Sequence, residues 1–221
     1  MAQTCGGEKR QNVPLKLSLT DRIKIDLNGG QRDAAGLRLE FSTGGVAVTK
    51  HDFKLHTLET APEGSRKSIS DVKQKYGRVP NFYAIAAESP AAIQAYAALA
   101  DIFQATELNA TEQNIVILTA SVENKCDYCV AAHSRGAKMA GVREDVIKAI
   151  ADRAPLADQK TEALHRFVTL LVDRRGWLPD DEVQAFLAAG YTKSQLLDVM
   201  VGISMKTLSN YINHLSDPPM A

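Results

Sequence analysis

The segment Glu123-Asn-Lys-Cys126-Asp-Tyr-Cys129-Val-Ala-Ala-His133 carries three side chains whose types and spacing suit chemistry. A helix turns ~100° per residue, so Cys126, Cys129 and His133 fall at about 0°, 300° and 340°, on one narrow face. Asn124 is placed to cap that helix, which puts Cys126 in its first turn, where the helix dipole favours a thiolate. His133 follows Cys129 by four residues, the spacing at which helical side chains meet. An imidazole there can take the thiol proton and hold the resulting thiolate. Cys126, one turn away, can then close a disulfide with an oxidised Cys129. Nucleophile, resolving thiol and base together make a thiol redox centre.

Three other readings compete for these residues. Buried cysteines can serve as small hydrophobes. A zinc ion could use the same ligands, but on a helix Cys126 and His133 lie ~10 Å apart along the axis, while zinc holds its ligands within ~2.0–2.3 Å. The chain has three cysteines in all, so no second pair completes such a shell. His133 could also be a satisfied polar partner in the core. The remaining thiol, Cys5, has no cysteine near it in sequence and reads as incidental.

The elements that must position this face follow from punctuation. From about residue 66 the signals are helical. Ser89-Pro90 pairs an N-cap with a proline at the first helical position, opening 91–105. Asn109 or Thr111 can cap the run through Ile115, Val116, Ile117, Leu118 and Val122. Gly141, Gly176 and Gly190 close later helices. Thr192 with Gln195 makes a capping box for a long helix through Leu215. About seven helices joined by short links predict an all-α bundle over residues 51–221. Residues 1–50 differ: they hold seven of the fourteen glycines and alternate in hydropathy (Leu15, Leu17, Leu19; Ile23, Ile25, Leu27). This extension reads as a short β-hairpin segment or as a poorly ordered appendage.

Composition narrows the function. A formal net charge of +0 argues against a dedicated nucleic-acid binder. No run approaches the ~20 apolar residues of a membrane span, and no signal-peptide core follows Met1, so a cytoplasmic protein is expected. In a reducing compartment a C-x-x-C pair signifies redox or metal chemistry rather than a structural disulfide.

The run from Leu118 to His133, followed by Gly136 and Gly141, resembles the alkyl hydroperoxidase D-like branch of the carboxymuconolactone decarboxylase family. Gly77-Arg-Val-Pro80-Asn81 and Ser89-Pro90 upstream, and Asp181–Gly190 and Lys206–His214 downstream, extend the likeness to its peroxidase-related members over about residues 52–217. The resemblance implies an all-helical AhpD-like bundle assembling as trimers or hexamers. It implies peroxide reduction in which Cys129 becomes a sulfenic acid and Cys126 closes the disulfide. An external dithiol then resets the pair, with no bound metal or flavin. Two departures stand out. The best-characterised members carry a glutamate twelve residues before the first cysteine, where this chain has Asn114, and a histidine before the second, where it has Tyr128. Glu112 is near Asn114, but two helical residues turn it by about 200°.

Secondary candidates are Tyr128 and Asn114 as relay or substrate contacts, and Thr207, Asn210 and His214 as a polar stripe on the last helix. Trp177 reads as a packing anchor, and Phe82 and Tyr83 as core aromatics or pocket lining. The expected activity is a thiol-dependent peroxidase acting on hydrogen peroxide or organic hydroperoxides. Its rivals are a thiol–disulfide oxidoreductase or redox sensor, and a non-catalytic helical oligomer. The nearly all-apolar run 115–122 needs cover from neighbouring helices or another subunit, and a homo-oligomer is expected.

Overall fold

Helix punctuation sets the order of elements. A computed structural model describes residues 49–220, which lie within the unit Gly44–Ala221. Among the described residues a short 3-10 turn, Lys50–Asp52, precedes nine α-helices, and there is no strand. The helices are α1 (Glu63–Tyr76), α2 (Asn81–Ala86), α3 (Pro90–Gln104), α4 (Ala110–Glu123), α5 (Asp127–Met139), α6 (Glu144–Ala151), α7 (Gln159–Asp173), α8 (Asp180–Ala188) and α9 (Lys193–Ser216). The β-like extension expected over residues 1–50, and Cys5 within it, lie outside the described residues apart from positions 49 and 50.

The caps act as anticipated. Ser89 accepts from the Ala92 amide at 3.3 Å, and Pro90 opens α3. Asn109 and Glu112 form a reciprocal capping box on α4, as do Thr192 and Gln195 on α9. Gly141, Gly176 and Gly190 follow α5, α7 and α8 with φ of 80°, 86° and 96°, a region glycine enters without a Cβ penalty.

Helix α4 is apolar around most of its circumference, and such a helix is stable only when surrounded. Its own chain surrounds it: α5, α6, α7 and α9 all pack on α4. Ile115, Val116 and Leu118 are fully buried there, each contributing about 1.5–3 kcal/mol of transfer free energy. The cover that the run 115–122 requires, from neighbouring helices or from another subunit, is supplied by its own chain. The exposed apolar face lies elsewhere, on α9, where Leu197, Met200, Tyr211 and Leu215 face outward.

The crossing of α9 over α3 and α4 depends on Gly202. A Cβ there would sit 2.6 Å from the Phe103 ring and 2.8 Å from Val116 Cγ1. This close approach carries the next two turns of α9 onto α4 and the start of α5. Phe82, Tyr83 and Tyr96 form an edge-to-face aromatic cluster on the α2–α3 side. Trp177 is not the anchor expected; it is 84% exposed on the turn after α7.

Candidate active site

The backbone turns sharply between α4 and α5. Asn124 ends α4, Lys125 adopts a left-handed φ of 56°, and Cys126 stands at the N-cap of α5 with φ −100° and ψ 89°. The Cys126 amide donates to Ser121 O at 3.0 Å, and its carbonyl accepts from the Val130 amide at 2.9 Å. Cys126 is thus one residue ahead of the first turn in which it was expected. Asn124 closes α4 rather than opening α5, because the left-handed Lys125 intervenes. The Asn124 side chain instead donates to Asn210 Oδ1 at 2.9 Å, tying this turn to α9.

The two sulfurs face each other as free thiols. Cys126 Sγ donates to Cys129 Sγ at 2.8 Å, well beyond the ~2.05 Å of a disulfide. Both residues are buried, at 2% and 3% exposure. Asn213 Nδ2 donates to Cys129 Sγ at 3.1 Å. The environment separates the two thiols. The hydrogen bond from Cys126, the nearby positive charge of Lys206 and the Asn213 and Asn210 amides outweigh burial and bring Cys129 down to about 6. Cys126, donating that hydrogen bond and desolvated, is pushed far up and keeps its proton. Cys129 is the thiolate and Cys126 the thiol.

The partner of His133 is not Cys129. The Lys206 ammonium lies 2.7 Å from His133 Nε2 and donates to Ser209 Oγ at 3.0 Å. Burial and the adjacent Lys206 hold His133 well below the usual histidine range, so the ring is neutral and accepts from the ammonium. Lys206 itself is 1% exposed, and burial lowers it while the two sulfurs pull it back up. A lysine therefore stands between the imidazole and the sulfur that i, i+4 spacing had paired directly. The residue contacting His133 is 73 positions away, a relation local spacing cannot reveal.

The expected polar stripe on α9 is out of phase. The inward face runs through Val199, Gly202, Lys206, Ser209, Asn210, Asn213 and Ser216, all buried. Asn210 belongs to it, Thr207 is half-buried, and His214 is exposed. Lys206 and Asn213 were missed as site residues. Their signal was present: a lysine and two asparagines at 206, 210 and 213 share the i, i+3/i+4 spacing of the apolar inner positions Val199 and Gly202. Among the described residues, Asn210 Nδ2 and Asn213 Oδ1 are buried with no hydrogen-bond partner. A spare donor and a spare acceptor thus flank the sulfurs, and buried polar atoms left so commonly mark a functional site. Asn114 takes no part: its side chain donates back to Ala110 O at 2.7 Å. Glu112 is held by its capping box and by Lys160 at 3.3 Å. The Tyr128 hydroxyl accepts from the Phe82 amide at 3.4 Å, and burial raises its pKa.

A cavity of about 310 Å³ opens onto Cys126 and Asn213. Lys50, Lys125, Asp127, Tyr128, His214 and Asp217 line the rest, and Cys129 does not. Among the described residues no three His, Cys, Asp or Glu side chains come together as metal ligands would, and no helix is long and apolar enough to cross a membrane.

Comparison with known proteins agrees with this architecture. Residues 87–169 match the model of the carboxymuconolactone decarboxylase family. No curated protein matches the chain. A peroxidase-related protein of Ralstonia eutropha JMP134, described as an alkylhydroperoxidase AhpD core, superposes with a TM-score of 0.70 at 20% identity, covering 80% of this chain and 94% of that one. A peroxidase-related protein of Silicibacter sp. TM1040 gives 0.68 at 17% identity, with 82% and 96% covered. The debrominase Bmp8 in complex with 2,3,4-tribromopyrrole gives 0.65 at 14% identity, with 76% and 91% covered. Over residues 87–169 the chain is similar to the carboxymuconolactone decarboxylase family, and its fold is AhpD-like.

Proposed function

We propose that this protein is a thiol-dependent peroxidase in which Cys129 is the nucleophile and Cys126 the resolving thiol. One observation carries the reading: a buried pair of free thiols at 2.8 Å, polarised so that one is a thiolate and the other its hydrogen-bond donor. The Cys129 thiolate attacks the terminal oxygen of a hydroperoxide, forming an S–O bond as the O–O bond breaks. Cys129 becomes a sulfenic acid, and the leaving alkoxide takes a proton to give an alcohol. The buried Lys206 ammonium, whose pKa burial lowers, supplies that proton in this reading, with neutral His133 as its acceptor on the far side. His133 thus acts through Lys206 rather than on the sulfur. Asn210 Nδ2 and Asn213 Oδ1 offer a donor and an acceptor for the –OOH group. Cys126 then attacks the sulfenic sulfur, a disulfide forms, and water leaves. External thiols then return the pair to its reduced state.

The absence of a relay carboxylate at Asn114 favours a second reading, a thiol–disulfide oxidoreductase acting without peroxide. Stopped-flow oxidation of the reduced protein by cumene hydroperoxide, hydrogen peroxide and a small disulfide separates the two. Faster oxidation by either peroxide is expected; reaction with the disulfide alone would favour the second reading.

A further inference from the structure

The cavity reaches one cysteine of the pair and not the other. Cys126 lines it, together with Asn213, while Cys129 lies behind, held by Asn213 Nδ2 at 3.1 Å on a site walled by Lys206 and α9. A molecule entering from outside therefore meets Cys126 before Cys129. The cavity lining carries both signs of charge, with Lys50 and Lys125 against Asp127 and Asp217.

We propose that this cavity admits the reductant, a small thiol of amino-acid type bearing both an ammonium and a carboxylate, and that it attacks the oxidised pair at Cys126. The proposal rests on the dithiol-centre reading above. The incoming thiolate forms a bond to Cys126 Sγ, and the Cys126–Cys129 bond breaks with its electron pair going to Cys129. Thiol–disulfide exchange runs faster with a leaving sulfur of low pKa, and Cys129, held by Asn213 and facing the charge of Lys206, is that sulfur. A second thiol then attacks the mixed disulfide, forming the external disulfide and releasing Cys126, which takes up a proton. Two external thiols are oxidised and one protein disulfide is reduced. Attack on Cys129 would require approach from the buried side and would expel Cys126, the poorer leaving group.

The test uses the full chain oxidised with diamide, so that peroxide plays no part. Excess glutathione is added, the mixture is acid-quenched within its first turnover, free thiols are alkylated and the peptides are mapped. Glutathione on Cys126 with alkylated Cys129 is expected; glutathione on Cys129 overturns the proposal. A Lys125→Glu variant tests the thiol class. The ratio of its reduction rates by glutathione and by uncharged 2-mercaptoethanol should fall about fivefold, the effect of altering one charge near a surface site. An unchanged ratio rejects the mixed-charge thiol. A protein inert to peroxides yet modified on Cys126 would keep this proposal and remove the peroxidase reading.

Discussion

Replacing Lys206 with methionine isolates the charge that this structure sets beside Cys129. With Cys129 at about 6, roughly nine in ten of these side chains are thiolate at pH 7. A unit charge at ~4–5 Å in a site of effective dielectric near 20 is worth up to ~3–4 kcal/mol, so removing the Lys206 ammonium should raise the thiol toward ~8–9. The thiolate fraction at pH 7, and the second-order rate with peroxide, should then fall about 10- to 100-fold. The sign is fixed by the nucleophile: the wild-type rate rises as pH passes through about 6 and levels off above it. The variant's rate should still be climbing at pH 8–9, and should stay below wild type there because the leaving-group proton from Lys206 is also lost. Methionine fills similar space and relieves a desolvated charge, which offsets the ~1–3 kcal/mol for each partner left behind at His133 and Ser209. Ultraviolet titration of the thiolate, beside a thermal melt, reads the effect. A folded Lys206→Met protein whose Cys129 still titrates near 6 would refute the argument.

Other outcomes follow from the same geometry. Gly202→Ala should cost about 1–3 kcal/mol in thermal or urea unfolding, because the added methyl meets the Phe103 ring and Val116; an unchanged midpoint would contradict the close crossing. Asn213→Leu removes a hydrogen bond to the thiolate worth ~1.5–3 kcal/mol. The pH midpoint of Cys129 alkylation by iodoacetamide should therefore move up; no movement would count against that contact. The outward face of α9 predicts a homo-oligomer, and light scattering that returned only the monomer mass at micromolar concentration would contradict it.

What the sequence disclosed was local. Caps at Ser89, Asn109 and Thr192 and the stops at Gly141, Gly176 and Gly190 depend on a few adjacent residues, and they appear where their chemistry places them. The C-x-x-C pair was equally legible, since one helical turn brings positions 126 and 129 together in either cap register. The turn before it was not, because Lys125 enters the left-handed region without the glycine or asparagine that normally announces it. His133 was assigned by i, i+4 spacing, and a buried lysine from the far end of the chain took its place beside the sulfur. On α9, Thr207 and His214 stand one residue beyond the inward face, which carries Lys206 and Asn213 instead. Long-range packing through Gly202 decides that register, and no periodicity around the cysteines encodes it.

The most direct test of the central claim is which sulfur peroxide oxidises. Reduced Cys126→Ser protein is treated with one equivalent of cumene hydroperoxide in the presence of dimedone, digested and mapped by mass spectrometry, beside Cys129→Ser treated alike. The dimedone adduct should form on Cys129 in the first protein and be absent from the second. An adduct on Cys126 in Cys129→Ser, with none on Cys129 in the reverse variant, would contradict the account.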